Sequence, residues 1–128
     1  MPLTTANSPH SVRTTVDRLV AALSARGIAV FARVDHGGGA RAAGLELADE
    51  ELLIFGDPRV GTVLMQGDPE IGYELPLRVL AWDVNGQTRI GYRAPLEVAE
   101  GYAAASQTEV LARMGALLEA LVAESVAP

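Results

Sequence analysis

The chain has 128 residues, 49% of them hydrophobic and 20% charged, which matches the size and composition of one globular domain. Its net charge of −6 argues against nucleic acid and anionic membrane surfaces as partners, because both are bound mainly through clustered positive charge. The sequence has no cysteine and no lysine, which excludes disulfides, thiolate metal sites, thiol nucleophiles and Schiff-base chemistry.

The first predicted elements are a strand, a helix and a second strand. Leu3 to Ser8 has the pattern of a short strand. Apolar residues at helical spacing then predict a helix with Ser11 as its N-cap and Gly27 just past its end. Ile28 to Asp35 alternates as a strand does, and Gly37-Gly38-Gly39 is expected to break it.

A third strand and a short helix follow. Glu51 to Phe55 is a short apolar run, and Asp57 is expected to cap a helix whose first residue is Pro58. Residues 67–74 are polar and predict a loop. Polar side chains therefore stand directly after the second and the third predicted strand, where loops on a rigid scaffold commonly carry function.

The last elements are a hairpin and a long helix. Residues 75–84 and 87–93 predict two strands joined by Asn85-Gly86, a sequence that favours a type I′ turn because both residues accept positive φ. A helix over about residues 106–125 is expected to begin with a capping box, Ser106 to Glu109. Its apolar stripe is expected to lie across the sheet.

This order predicts an α+β fold over the whole chain, residues 1–128. The expected architecture is a single two-layer domain with a curved, mainly antiparallel sheet and helices packed on one face. The order of elements is β-α-β-β-α-β-β-α.

A series of motifs also resembles a known family. In chain order they are Phe31-Ala32-Arg33-Val34-Asp35-His36, Ala43-Gly44-Leu45, Leu53-Ile54-Phe55-Gly56-Asp57-Pro58, Gly61-Thr62, Leu64-Met65-Gln66 and Leu75-Pro76-Leu77-Arg78. Over about residues 3–95 the chain resembles the family called domain of unknown function 302. The resemblance implies a TBP-like α+β domain and implies no settled activity, cofactor or catalytic residue.

The chain departs from that family at three places. The family often has asparagine where this chain has Asp57, and aspartate where it has Glu74. After the hairpin the family commonly has Tyr-Asn-Asp-Pro, and here the stretch is Tyr92-Arg93-Ala94-Pro95.

The candidate ligand-binding residues are Asp35, His36, Gly56, Asp57, Arg59 and Tyr73. A histidine beside a carboxylate can act as a base or a metal ligand, although adjacent strand residues point to opposite faces and a turn role is the alternative. Asp57 is expected chiefly to cap a helix. The free N–H groups at the start of that helix, together with Arg59, can also hold an anion. Tyr73 is expected to close the site.

Other candidate sites are weaker. His36 and Met65 are candidate metal or haem ligands, but a methionine on an amphipathic helix is usually core filler. The glycine run can form an anion-holding nest, although a flexible loop is the simpler interpretation. Trp82 and Tyr92 are expected to be cross-strand partners or core residues rather than pocket walls.

Three functional hypotheses follow. The first is a small-molecule or ion binding module with its site where the Asp35-His36 loop and the Gly56-Asp57 turn meet. The second is a homodimeric structural or interaction module, in which the exposed face or edge of the small sheet must be covered and the C-terminal helix suits an isologous interface. The third is an enzyme with His36 as general base and Asp35 or Asp57 as the orienting carboxylate.

The sequence identifies no cofactor, and without a signal peptide or an apolar span it predicts a soluble cytoplasmic protein.

Overall fold

A computed structural model describes residues 2–128. The strands are β1 (Thr4–Ser8), β2 (Ala29–Asp35), β3 (Glu50–Gly56), β4 (Leu77–Val84) and β5 (Gln87–Tyr92). The helices are α1 (Val12–Ala25), α2 (His36–Ala42), α3 (Pro58–Gly67), α4 (Pro95–Val98) and α5 (Thr108–Val126), with 3₁₀ turns at Pro69–Tyr73 and Ala103–Ser106.

The five strands form one antiparallel sheet in the order β1-β5-β4-β3-β2. Helices α1 and α5 pack on one face of this sheet, and the expected α+β two-layer fold is confirmed. Along β3 the side chains alternate between buried and half-buried, because successive strand residues point to opposite faces. One face of the sheet is therefore the floor of the core.

The main core lies between the sheet and the two long helices. Phe55, Leu53 and Ile90 contribute from the strands, and Leu19 and Leu118 contribute from α1 and α5; all five are fully buried. A second cluster fills the space under α3 and α4, and its buried members are Leu64, Ile71, Ala99, Ala104, Leu111 and Met114. Leu64, Ile71, Leu111 and Met114 of this cluster also line cavities of the molecule.

Several short-range predictions are confirmed. The side chain of Ser11 accepts a hydrogen bond from the backbone N–H of Thr14, 3.1 Å away, so Ser11 is the N-cap of α1. Gly27, just past the end of α1, has φ of +69°. Asn85 and Gly86 have φ of +52° and +86°, the two positive values that a type I′ turn requires.

Three local expectations are wrong. Ser106 does not cap the last helix: α5 starts at Thr108, and the Ser106 hydroxyl donates to the carbonyl of Ala103 within a 3₁₀ turn. The glycine run does not form a loop, because Asp35 caps it and it continues as α2. The segment expected as a loop after α3 contains the 3₁₀ turn Pro69–Tyr73.

The face of the sheet turned away from α1 and α5 is here called the open face. Its apolar side chains come mainly from the three strands β2, β3 and β4, and they are half-buried or exposed rather than buried: Val34, Leu52, Ile54, Leu80 and Trp82. The sequence analysis offered two surfaces for self-association, the exposed part of the sheet and the C-terminal helix. The stripe of α5 is used within the chain, since Leu118 and Leu121 are core residues.

Strands β4 and β5 separate at one end. Their ladder ends at Leu80 and Gly91, although β4 begins three residues earlier at Leu77. Beyond that point Leu77 pairs with β3, whereas Tyr92 pairs with β1. The sheet therefore has a gap between β4 and β5 at this end.

Candidate functional site

The two loops predicted to form one site lie at opposite ends of the sheet. Asp35 pairs with Glu51 at the start of β3, whereas Gly56 at the end of β3 pairs with Ala29. These positions are five residue steps apart along β3, about 17 Å at ~3.4 Å per step. The strands β2 and β3 are antiparallel, so the end of one meets the beginning of the other, and the shared site does not form.

Asp35 and His36 start a short helix. The Asp35 carboxylate accepts a hydrogen bond from the backbone N–H of Gly38 at 2.8 Å, as an N-cap does. This capping bond occupies the backbone N–H of Gly38, one of the groups that the glycine run offered as an anion nest. His36 is exposed, and Asp57, the alternative orienting carboxylate, is at the far end of the sheet.

A metal site at His36 receives no support from its surroundings. Met65 belongs to α3, which follows the opposite end of β3. Within residues 2–128 the structure shows no group of three or more histidine, aspartate or glutamate residues arranged to hold a metal ion. The second histidine, His10, bonds through Nε2 to the carbonyl oxygen of Ala127 at 2.6 Å.

A cavity of about 260 Å³ lies beside the Gly56-Asp57 turn. It is here called the turn cavity. Its walls come from the start of β2, the end of β3, helix α3, the segment before β4 and helix α5. The lining residues are Ile28, Phe31, Phe55, Gly56, Asp57, Pro58, Val60, Gly61, Thr62, Met65, Gly72, Leu75, Pro76, Leu77, Met114 and Leu117. The Asp57 carboxylate and the Thr62 hydroxyl are the polar side-chain groups among these residues.

Asp57 is held by Arg59 at the edge of the turn cavity. Its Oδ1 accepts from the backbone N–H of Arg59 at 2.9 Å, and its Oδ2 accepts from the guanidinium Nη2 at 3.0 Å. The side-chain and backbone hydrogen bonds from Arg59 lower the pKa of Asp57 below its usual value. The carboxylate is thus ionised at neutral pH, capped and paired.

The remaining predicted residues stay outside the turn cavity. The Arg59 side chain is 88% exposed and reaches Asp57 from the solvent side. Tyr73 is 83% exposed and does not close the cavity, although its neighbour Gly72 is part of the wall.

The sequence analysis missed the aromatic wall of the turn cavity. The register of β2 shifts between Val30 and Ala32, and Phe31 lies at this bulge with 53% of its surface exposed. A bulge redirects a side chain, and here it leaves Phe31 at the cavity instead of in an alternating row. Met114 and Leu117 come from α5, far along the chain, and no local pattern indicates them.

A second polar cluster lies near the gap between β4 and β5. Arg93 donates through Nη2 to Glu74 Oε2 at 2.9 Å, and the Tyr102 hydroxyl donates to Glu74 Oε1 at 3.3 Å. Burial, together with the nearby charge of Glu74, raises the pKa of Tyr102. The cluster borders a cavity of about 240 Å³ that enters the gap.

Trp82 and Tyr92 are not partners. Trp82 pairs with Arg89 and lies on the open face, whereas Tyr92 pairs with Thr4 and is buried in the main core. The cross-strand pair proposed from the sequence is therefore wrong, because the two aromatic rings lie on opposite faces of the sheet.

Comparison with known proteins gives the family. The model of the family described as domain of unknown function DUF302 matches residues 4–121. The chain belongs to the DUF302 family. A crystal structure of an uncharacterized conserved DUF302 protein from Bacillus stearothermophilus superposes with a TM-score of 0.87, at 21% identity and 98% coverage of both chains. That similarity supports the DUF302 fold and carries no function with it.

Curated proteins that this DUF302 chain is similar to are named as ion channels. It is 44% identical over 109 residues to "Fluoride-specific ion channel FluC 1" of Brucella suis biovar 1 (strain 1330), covering 84% of this chain and 43% of that protein. "Fluoride-specific ion channel FluC 2" of Brucella melitensis biotype 1 matches equally, with 40% of its length covered. The chain thus spans less than half the length of these relatives. Within residues 2–128, no helix has the length and apolar character to cross a bilayer.

Proposed function

We propose that this DUF302 domain binds a small, neutral, mainly apolar molecule in the turn cavity. The observation that carries the proposal is the cavity itself, about 260 Å³ in volume with a largely apolar lining and few polar groups. Small-molecule sites have this construction, in which apolar walls supply affinity and a few polar groups set orientation. Asp57 can accept a hydrogen bond from such a ligand, and Thr62 can donate or accept one.

The charge of the turn cavity favours a neutral ligand over an anion. Asp57 is the ionised side chain among the lining residues, and its charge is balanced by Arg59 at the solvent edge. An anion inside the cavity would lie closer to the Asp57 carboxylate than to the Arg59 guanidinium and would be repelled. It would also lose its hydration in an apolar space. Fluoride, the ion in the name of the curated relatives, is therefore a poor ligand for this cavity.

Phenol is a suitable probe because it is neutral, aromatic and carries one hydroxyl donor. An apolar cavity of about 150 Å³ holds benzene, or ~25 Å³ for each non-hydrogen atom, so the seven non-hydrogen atoms of phenol need about 175 Å³. Gly61 lines the cavity of about 260 Å³, and Gly61→Val adds three carbons that take about 75 Å³ by the same measure. About 185 Å³ is then left, little more than phenol needs, so phenol binds more weakly.

Calorimetric titration of phenol tests the proposal. We expect binding to the natural chain, weaker binding in Gly61→Val, and unchanged binding in Gly39→Val, a glycine of α2 with open space around it. Fluoride titrated in parallel gives no heat. Equal phenol binding by both variants would contradict the proposal.

A second candidate function, a homodimer, is favoured by the open face. A two-fold axis along the central strand β4 would stack two copies face to face, with β5 of one over β3 of the other. Arg89 and Glu50 are both in register with Trp82, so each would face its opposite charge on the second copy. In the single chain, Nε of Arg89 is buried without an acceptor among the described residues.

The area of the open face suits a weak dimer. Five strands at ~4.8 Å spacing and about 20 Å of strand length give about 500 Å² per copy, or about 1,000 Å² in total, the lower limit for a specific interface. We expect sedimentation to show a concentration-dependent dimer that Leu52→Arg abolishes. Leu96→Arg, at an exposed leucine of α4, leaves the dimer intact. A monomer at all concentrations would exclude this candidate.

A further inference from the structure

We propose that the gap between β4 and β5 is a second binding site, which takes an amphipathic carboxylate with an apolar chain of about eight carbons. The site adjoins the turn cavity, with which it shares wall residues such as Leu75 and Met114, and its ligand differs in charge. It is here called the strand cleft, and its cavity measures about 240 Å³.

The strand cleft joins the open face to the interior. At its outer end it is lined by Leu3, Leu52 and Leu80, and at its inner end by core residues such as Leu111 and Leu118. A cavity can pass from one face to the other here because the ladder between β4 and β5 ends at Leu80 and Gly91. The result is a deep apolar slot rather than a shallow surface groove.

The mouth of the strand cleft carries an excess of positive charge. Three charged residues line it, Glu74, Arg78 and Arg93. Glu74 and Arg93 form an ion pair at 2.9 Å. Arg78 forms no ion pair with the described residues, and its guanidinium makes only a long hydrogen bond, 3.4 Å, to the main-chain oxygen of Glu74.

The apolar slot and the positive charge at its mouth together determine which class of ligand the strand cleft binds. A carboxylate at the mouth balances the charge of Arg78, and a guanidinium can bind a carboxylate through two parallel hydrogen bonds. Arg93 donates to Glu74 through Nη2 alone, so it can also contribute. The apolar slot accepts the tail, since eight carbons need about 200 Å³ at ~25 Å³ each and the cavity measures about 240 Å³. A cationic amphiphile would instead be repelled.

Hydrogen bonds to Glu74 fix the side chains at the mouth of the strand cleft. Arg93 and Tyr102 hold its two carboxylate oxygens from different sides, and Glu74 is 17% exposed. Glu74 therefore positions Arg93 and leaves the solvent-facing charge to Arg78. The acidic side chains Asp68 and Glu70 lie near the Tyr102 hydroxyl and are outside the cleft lining.

Calorimetric titration of the whole chain with octanoate, octanol and octylammonium tests the strand cleft. We expect octanoate to bind at least about tenfold more tightly than octylammonium, because the charge-assisted bond is worth that factor. Arg78→Gln weakens octanoate about tenfold and leaves octanol unchanged. Arg41→Gln, which removes the same charge from exposed α2, has no effect.

The outcomes separate this proposal from the turn cavity. Phe31→Ala, at a residue that lines the turn cavity and not the strand cleft, is expected to weaken phenol binding and to leave octanoate binding unchanged. Octanoate that binds as well to Arg78→Gln as to the natural chain, or no better than octylammonium, would overturn the proposal. Loss of octanoate binding in Phe31→Ala would assign both ligands to the turn cavity and would also overturn it.

Discussion

Replacement of Gly61 by alanine tests whether the turn cavity is empty space. A Cβ at this position would lie 3.7 Å from Leu75 Cδ1 and 3.8 Å from Met65 Cε, which are ordinary contact distances. Gly61 is within helix α3, where alanine is more favourable than glycine by about 1 kcal/mol. The added methyl group also covers apolar surface. Complete burial of such a group stabilises the fold by up to ~0.8 kcal/mol.

We therefore expect Gly61→Ala to stabilise the fold by about 1 to 1.5 kcal/mol, since the cavity is partly open and the methyl is only partly buried. Urea unfolding measures this as a higher midpoint with an unchanged slope. Gly39→Ala, with open space around it in α2, is the control for helix propensity alone. A destabilised Gly61→Ala protein would show that the cavity wall has no room for a methyl group and would refute the reasoning.

Three further predictions concern the core, the turn and His36. Leu53→Ala, at a fully buried strand residue, should lower the free energy of unfolding by about 2–5 kcal/mol in urea titration. The pKa of Asp57 is lowered in the fold, so its stabilising effect is complete above the usual aspartate pKa of about 3.9 and is lost as pH falls through the lower folded value. Unfolding midpoints measured against pH should fall less in Asp57→Asn, which retains a capping oxygen, than in the natural chain. His36→Ala should change neither the urea midpoint nor phenol binding, because His36 is exposed at the end of the sheet away from the turn cavity; a weaker phenol titration would contradict this.

Sequence patterns predicted the parts of the fold that local chemistry determines. The Asn85-Gly86 turn follows from its need for positive φ, and the caps at Ser11 and Asp57 follow from a side-chain oxygen placed before a helix. Ser106 has the same pattern, but the residues before it coil into a 3₁₀ turn and the helix starts later. Capping patterns therefore predict a helix start only where the preceding chain is extended.

The candidate site was only partly predictable. Gly56 and Asp57 do line a cavity, as expected. The pairing of that turn with the Asp35-His36 loop required β2 and β3 to end on the same side of the sheet, and their antiparallel register places those ends apart. The relative direction of two strands depends on which strands pair. Pairing is a property of the tertiary structure, and the periodicity of a single strand does not predict it.

The apolar wall of the turn cavity also depends on tertiary structure. Phe31 reaches it through a register shift in β2, and Met114 reaches it from α5. The cavity therefore forms only in the folded chain.

The most direct test of the turn cavity is a map of amide chemical-shift changes in the natural chain as phenol is added. The account predicts that the shifts concentrate at Gly56, Val60 and Gly61, with His36 unchanged, because these three residues line the cavity and His36 is at the opposite end of the sheet. Shifts centred on His36, or no shifts at saturating phenol, would contradict it.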